Sequence, residues 1–563
     1  MSPALSSDVA SLDPVLPGPT AANSTMVDPH VYARRWWTLG VLCLSLLIVF
    51  VGNSSLNVAI PTLSRVLGAS NSQLQWVIAS YSLVFAGFLF TTGALGDRFG
   101  RKGALQLGLG IYLIACLLAT ASSAMWQLIA CRALMGVGAA FIMPSTLSIL
   151  VNVFPPHERT KAIAIWASVT GGAGALGPVA SGWLLGHYWY GSVFFVNVPI
   201  IIVALVAGWF LVPTSRDPEQ GRLDPLGALL SIVGLGSLVY GLIQAPQIGW
   251  ASTATLVAFA VAVVVLTLFV VWELHVKEPM LDMRFFKNPA FSVGTGGMIL
   301  VFLSMYGVMF LITQYFQLIL GYSPLGAALR LLPMAPIMVI VAPMTPKLSA
   351  RFGANRVVSL GMMGITTGFL MFLALSARTP YWYVLLAIVP LVSGIALAMS
   401  PMTASIMSAV PSRRAGAGSA MNDASRELGA AFGIALMGSL AASRYTSSLR
   451  SVTKHLSPAV QHQASVSLAD ALAAAGKLGG VRGQALTAGA QHAFIAGIQL
   501  AVIGGAILSS IAAVVVYRGL PHEAEHGVVP GEVEKDQVTL AIEAAEVTAE
   551  LGLAGVEPAF VES

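Results

Sequence analysis

The chain is a succession of apolar runs of about 20 residues separated by short polar breaks, and this spacing limits the possible folds more than any other feature. About 20 apolar residues in a helix cross a hydrocarbon core of ~30 Å, and in lipid only helices and closed barrels satisfy their own backbone groups. Charge agrees with this. Of 563 residues, 56% are hydrophobic and 9% charged, against roughly 25% charged in a soluble domain. A water-soluble fold of this length could not cover its surface with so few charges. The expected class is all-α, a polytopic protein of the lipid bilayer.

Fourteen spans are predicted, near 37–60, 74–95, 103–121, 127–149, 161–184, 193–212, 226–245, 253–272, 291–314, 325–345, 356–376, 383–405, 418–441 and 492–516. Pro324, Pro333, Pro336 and Pro343 predict a kinked tenth span. An even count puts both termini on one side. Arg98, Arg101, Lys102, Arg159, Lys161, Arg216, Arg222, Lys277, Arg284, Lys287, Lys347, Arg351, Arg356, Arg413 and Arg414 all fall in alternate loops, while the opposite short loops hold little beyond Arg65 and Arg378. Cytoplasmic loops of membrane proteins carry the excess of Lys and Arg, so both termini are expected in the cytoplasm. The net charge of +5 is unevenly spread: residues 519–563 carry −9, which leaves +14 on the rest. Loop anchoring accounts for that basic excess without a nucleic-acid partner.

A duplication is legible. Arg98-Phe99-Gly100 precedes Gly108 by the interval at which Arg351-Phe352-Gly353 precedes Gly361. Met143-Pro144 with Pro155 is echoed by Ser400-Pro401 with Pro411, again about 255 residues on. Duplicated bundles with a site between them are a common plan of secondary transporters. The expected organisation is a disordered cytoplasmic tail (1–36), a six-helix bundle (37–212), two inserted helices (213–290), a second six-helix bundle (291–517) with an external loop at about 442–490, and an acidic cytoplasmic tail (518–563). Ser467-Leu-Ala-Asp-Ala-Leu-Ala in that loop has the periodicity of a short amphipathic helix. Cys43, Cys116 and Cys131 all lie in apolar runs without metal or CxxC spacing, so structural thiols are expected and no metal site.

Charge among the spans is densest in Gly93-Ala-Leu-Gly96-Asp97-Arg98-Phe-Gly100-Arg101-Lys102. The glycines permit close helix approach and a tight turn. Asp97 can pair with Arg98 or Arg101, or cap a helix of the other half, in one access state and release it in the next. A plain basic anchor needs neither the acid nor the glycines, so the stretch reads as a gate built on Gly93, Asp97, Arg98, Gly100 and Arg101. The duplicate has Ala350 where the first copy has Asp97.

Ionisable groups within a membrane are costly and mark functional candidates. Between residues 37 and 212 the acids are Asp97 and Glu158, both in loops, so Arg132 has no membrane carboxylate in its own bundle. Its guanidinium cannot deprotonate, leaving water, the polar cluster Asn53/Ser54/Ser55/Asn57 or an anionic ligand as partner; a structural arginine near the external surface is the alternative. In Asn422-Asp423-Ala-Ser-Arg426-Glu427, Asp423, Arg426 and Glu427 share one helical surface. A helix begun near 416 carries Glu427 ~16 Å inward. Low dielectric and a second acid favour its protonated form, and Arg426 favours the carboxylate. Proton coupling and a static clamp holding the helix are equally open. On the ninth span, Gln314 and Gln317 among aromatic neighbours are candidates for a transport cavity.

Taken together, these motifs resemble the major facilitator superfamily, and within it the fourteen-span drug:proton antiporter branch, over about residues 37–517. Gly93 to Leu105 is similar to its loop-2–3 motif, Leu128 to Gly138 to its fourth-span arginine motif, and Gly174-Ala-Leu-Gly177-Pro178-Val-Ala-Ser-Gly182 to its fifth-span antiporter motif. Asn197-Val-Pro199, Gly321-Tyr-Ser-Pro324 and Arg426-Glu427-Leu-Gly429 also match the branch. The resemblance implies two pseudo-symmetric six-helix bundles and export of small molecules against protons. Two departures stand out: Gly52 and Ala79 occupy positions where the branch carries membrane acids.

Two functions follow. One is proton-driven export of amphipathic compounds from a bacterial-type plasma membrane, with alternating access between the bundles, as in multidrug efflux and antibiotic resistance. The other is export or facilitation of a neutral or anionic metabolite or lipid-like product that bypasses the usual first-half carboxylates. No HExxH, GxSxG or GxxxxGK[ST] stretch is present, so neither a membrane enzyme nor an ATP-driven pump is expected. Partners are amphipathic small molecules, protons and lipid; no cofactor is expected, and the chain is expected to act as a monomer.

Overall fold

The computed structural model describes residues 29–215, 224–277, 279–410 and 415–520. Parts of both tails, Arg216, Arg222, Arg413, Arg414 and the side chain of Asp97 lie outside the described residues. All regular structure among the described residues is helical.

The first group is α1 (Pro29–Leu67), α2 (Asn71–Phe99), α3 (Arg101–Thr120), α4 (Met125–Val153), α5 (Pro156–His187), the short α6 (Ser192–Phe195) and α7 (Asn197–Leu211). Here α4 packs on α2 and α3, and α1 packs on α5 and α7. Next come α8 (Pro225–Ile248) and α9 (Thr253–His275), which pack on each other. The second group is α10 (Pro289–Gln314), α11 (Pro324–Leu331), α12 (Met334–Val341), α13 (Thr345–Phe352), α14 (Ala354–Phe372), α15 (Tyr381–Ser408), α16 (Ala415–Thr453), α17 (Pro458–Val466), α18 (Leu468–Leu478) and α19 (Gly480–Gly519). In it α10 packs on α15, α16 and α19, and α14 on α15 and α19.

Eleven helical segments among the described residues are long and apolar enough to cross a membrane, against the fourteen spans expected. The three expected spans not among the eleven fall on α5, α14 and α16, which have 32, 19 and 39 residues. The polar residues Asn422, Asp423, Arg426 and Glu427 interrupt the apolar face of α16. The prolines of the predicted tenth span act as expected: the helix breaks at Leu332–Pro333 and again in a 3₁₀ turn at Ala342–Met344, giving α11, α12 and α13. A π-turn at Tyr315–Ile319 extends α10. Helix α16 runs on to Thr453 and α19 starts at Gly480, with α17 and α18 between them; Leu468, Ala469, Ala471, Ala474 and Ala475 form the buried face of α18.

The duplication is visible in backbone geometry. Gly100 turns α2 into α3 with φ +116°, and Gly353 turns α13 into α14 with φ +89°, a region that L side chains avoid. Each glycine N–H also closes the preceding helix, on Gly96 O at 3.0 Å and Ser349 O at 2.9 Å. Both turns lie at one end of the molecule, called here the basic end after Arg98, Arg101, Lys102 and Arg351; the other is the opposite end. Side chains such as Val203, Val206, Phe210, Val263, Val264 and Leu268 form exposed apolar faces on α7 and α9. Water would not tolerate such a belt, and lipid does.

Candidate functional site

Gly136 and Gly138 bring α4 against its neighbours. A β-carbon on Gly136 would lie 2.6 Å from Tyr81 O, and one on Gly138 2.9 Å from Gly108 O. One turn before Gly136, this close approach drives Arg132 into the bundle, where it is fully buried. Its Nε donates to Val77 O at 3.1 Å, its Nη2 donates to Asn53 Oδ1 at 3.1 Å, and its guanidinium lies 4.3 Å from the centre of the Tyr81 ring. A helical carbonyl has a second lone pair, so Val77 accepts without breaking α2.

The second group reaches the same place. Asn53 Nδ2 donates to the Tyr306 hydroxyl on α10 at 3.3 Å, linking α1 to the other bundle. Gly429 and Gly433 let α16 press on α10: their β-carbons would meet Phe302 Cβ at 2.7 Å and Leu303 Cα at 2.8 Å. That contact sets the register of Asp423, Arg426 and Glu427. Arg426 Nη1 lies 3.7 Å from Asp423 Oδ1, and its guanidinium is 5.2 Å from the Phe302 ring centre. Both side chains of this pair are about a quarter exposed, at 26% and 23%. Glu427 is half-buried with its Oε2 fully enclosed and unbonded, within electrostatic reach of Ser82, Asp423, Arg426 and, across the interface, Arg132. Arg132 has no membrane acid in its own bundle, and the carboxylate within its electrostatic reach comes from the other. The hydroxyls of Tyr81 and Tyr112, together with Asn57 Oδ1, are also buried without a partner, leaving the centre rich in unused polar atoms.

The remaining candidates lie elsewhere. Gln317 Nε2 donates to Val58 O at 2.9 Å, bonding the π-turn to α1, and Gln314 Nε2 donates to Phe310 O of its own helix. Gln314 also lines a small cavity with Asn71, Phe310, Tyr445 and Phe494 toward the opposite end. Ser64 and Ser467 hydroxyls meet at 3.1 Å, and Ser439 Oγ donates to Gln75 Oε1 at 3.4 Å. Gly182 fits against Leu325 so closely that a β-carbon would sit 2.7 Å from Leu325 Cα. The bonds described here between the bundles thus fall at the centre and the opposite end. In keeping with this, α13 and α15 have their extensive contacts within their own bundle.

The glycines of the fifth-span motif do different things. Gly177 is pressed on Ser54 and on Val51 O, where a β-carbon would lie 3.1 Å away, and Ser55 Oγ donates to Gly177 O at 3.0 Å. Gly174 has open space around it, and α5 continues through Pro178. The expected loop is helical up to Phe99 and again from Arg101, with Gly100 as the break between α2 and α3; within it Gly93 faces Pro144 and Gly96 faces Ala104 and Ser145. Arg98 is exposed, Arg101 N donates to Ser215 O at 3.0 Å, and Lys102 Nζ donates to Trp209 O at 2.6 Å. Glu158 bonds Arg35 through Nε at 2.6 Å and Nη2 at 3.0 Å.

The two departures have packing reasons. A β-carbon on Gly52 would collide with the Tyr112 hydroxyl, so an acidic side chain there would have to displace the buried Tyr112 ring. Ala79 is fully buried in an apolar cluster with Leu83, Val239, Ile243, Ala431 and Ala435, drawn from α2, α8 and α16. Tyr81 and Ser82 were not among the expected site residues. Their place depends on the α2–α4 and α2–α16 contacts, and the one sequence cue for Tyr81 was its spacing of one turn from Val77. Among the described residues no three His, Cys, Asp or Glu side chains gather as metal ligands.

Two helical bundles that share a buried charged centre, with an apolar outer belt, define a polytopic membrane protein of transporter type. The comparisons identify the family: residues 42–434 match the Major Facilitator Superfamily, and the chain belongs to it. It is 36% identical to the multidrug efflux pump LfrA of Mycolicibacterium smegmatis, over 88% of this chain and 98% of that protein. It is 35% identical to the methylenomycin A resistance protein of Bacillus subtilis (74% of this chain, 90% of that one). It is 31% identical to the tetracenomycin C resistance and export protein of Streptomyces glaucescens (86% and 91%). The fold is similar to an inward-facing, occupied crystal structure of a bacterial homologue of the human lysosomal transporter Spinster. The TM-score is 0.61 at 16% identity, covering 88% of this chain and 98% of that one.

Proposed function

We propose that this chain is a secondary transporter of the bacterial plasma membrane that exports amphipathic small molecules by proton antiport. It belongs, on this reading, to the fourteen-span branch, with α5, α14 and α16 as the further spans, both termini cytoplasmic and the basic end facing the cytoplasm. One observation carries the reading: Glu427 of the second bundle lies within electrostatic reach of Asp423 and Arg426 on its own helix and of Arg132 in the first bundle, at the interface across which alternating access must work. A carboxylate there can exchange its proton as its cationic neighbours move with the bundles. The names of the relatives, which concern resistance to or export of small organic compounds, support the substrate class. Joined at the centre and the opposite end, the described arrangement corresponds to a state open toward the cytoplasm.

The test is transport of a dye in proteoliposomes with and without an imposed pH gradient. Glu427→Gln is expected to abolish gradient-driven export with expression intact; undiminished export sinks the proton role.

A second reading has its own support. Tyr112 fills the space beside Gly52 and apolar packing surrounds Ala79, so the first bundle presents Arg132 with no acid of its own. That favours a neutral or anionic substrate such as a metabolite or lipid-like product. Vesicle transport of matched cationic and anionic dyes separates the two.

A further inference from the structure

The inserted hairpin holds two buried acids that the transport reading leaves unused. Asp224 caps α8 and is 7% exposed; Glu273 lies in the last turn of α9 and is 2% exposed. The hydrogen bonds of the two differ. Asp224 is well supplied with donors: Gly227 N to Oδ1 at 2.8 Å, and Trp272 Nε1 to Oδ1 at 2.9 Å and to Oδ2 at 3.0 Å. Glu273 receives Leu281 N on Oε2 at 3.0 Å, with the Met280 backbone also contributing, and its Oε1 is buried without a conventional partner. That Oε1 is aimed at Asp224. A β-carbon on Gly227 would lie 2.5 Å from Glu273 Oε1 and 2.6 Å from Asp224 Oδ2, so both oxygens converge on the space that this glycine leaves open.

Among the described residues, charged groups on the surrounding elements do not compensate the pair. Arg284, Lys287 and Lys277 are exposed, Asp282 Oδ1 accepts Arg284 N, and His275 Nδ1 is bonded to Val271 O. Arg98 is exposed at the end of α2, and the ion pair Asp423–Arg426 on α16 belongs to the central site. Among the described residues Asp224 is the ionisable group that faces Glu273. Two carboxylates this close and this buried cannot both ionise. A buried carboxylate with no donor is costly, whereas a carboxylic acid supplies its own donor.

We infer that Asp224 and Glu273 form a proton-binding site at the root of the α8–α9 hairpin, with the proton on Glu273 Oε1 donated to Asp224 Oδ2. Asp224, held by two donors, Gly227 N and Trp272 Nε1, is the carboxylate; Glu273 is the acid. The proton fastens α9 and the 279–282 segment to α8. Beside Leu281, Met280 Sδ accepts from Thr91 of α2 at 3.8 Å, one residue pair before the glycine stretch that starts at Gly93. Loss of the proton to water at the basic end leaves two facing carboxylates and loosens the root beside α2. The site therefore senses pH on the basic side, apart from the coupling residues between the bundles.

Infrared difference spectra of the full-length protein in nanodiscs, acid minus alkaline, test this. Wild type is expected to show a protonated-carboxyl band that Glu427→Gln retains and Glu273→Gln lacks, since the amide keeps a donor toward Asp224 and cannot titrate. A Glu273→Gln spectrum equal to the wild type's overturns the site. Loss of the band when Na⁺ replaces choline at fixed pH also overturns it, in favour of a metal cation. Thermal stability supplies the linkage: stability due to the bound proton is present at low pH and lost as pH rises. The wild-type Tm is thus expected to fall on alkalisation more steeply than that of Glu273→Gln, and parallel curves count against the inference. If Glu273→Gln does not fold, Asp224→Asn decides: an altered pH dependence of the band upholds the pairing, and an unaltered one overturns it. None of these readouts depends on transport, so they are independent of the test of Glu427.

Discussion

Arg132 is held by one carbonyl, one amide and one ring, and each asks for a guanidinium. The fork bonds Val77 O and Asn53 Oδ1 in different directions while its plane covers Tyr81, which an ammonium cannot reproduce. Arg132→Lys is therefore expected to reduce transport at least about tenfold while the protein still reaches the membrane, as read by dye efflux against surface expression. Arg132→Ala should be worse: it leaves Val77 O and Asn53 Oδ1 without their donor and empties the space under Tyr81, and leaving a buried polar group unsatisfied costs about 1–3 kcal/mol. Wild-type stability for Arg132→Ala in thermal unfolding contradicts this account. The arginine and its lack of a local acid were legible in the sequence, because both are counts along the chain. The acid nearest it electrostatically was not, since Glu427 lies 295 positions away and comes within reach through packing of α2 on α16.

At the scale of the element, glycines decide how closely helices approach, and they are not equivalent. Gly177 sits against Ser54 and Val51 O, whereas Gly174 faces open space. Gly177→Ala is expected to destabilise the α1–α5 contact by about 1–3 kcal/mol, the usual cost of overpacking. Gly174→Ala should stay within about 0.5 kcal/mol. Equal Tm shifts for the two would show that the motif acts as a unit and not through separate contacts. The breaks that proline makes were readable, as around Pro333 and Pro343, whereas the start of α2 at Asn71, behind its Ser70–Gln73 capping box, lies before the expected 74. The continuation of α16 to Thr453 was not readable, because its polar stretches lower the hydropathy by which a span is recognised.

For the whole molecule, the seam between the bundles has an end that is sewn. Gly182 on Leu325, Gln317 on Val58 and Ser64 on Ser467 close the opposite end. Gly182→Ala puts a methyl group into Leu325 backbone, so it is expected to shift the population away from this state. Accessibility of a cysteine introduced beside the seam, probed from the external side with a membrane-impermeant thiol reagent, should rise several-fold; an unchanged labelling rate counts against the seam as a gate. A change of 1.4 kcal/mol in the balance alters populations tenfold, so one methyl suffices. Asp97→Asn, in the loop stretch of the basic end, is expected to slow turnover of any substrate, driven or not. A defect confined to cationic substrates would argue against gating.

The sequence by itself determined the class. Apolar run length, scarcity of charge and alternation of Lys and Arg are one-dimensional quantities that the bilayer reads directly, and the 255-residue echo reappears as paired positive-φ glycines at Gly100 and Gly353. Only the tertiary structure decided which polar residues meet. It brought Glu427 within electrostatic reach of Arg132, put Gln317 in the seam, closed the space beside Gly52 with Tyr112, and brought Asp224 to Glu273 across a glycine. Each of these pairings joins different helices, and the approach of two helices depends on small residues whose contacts do not show as a period along the chain.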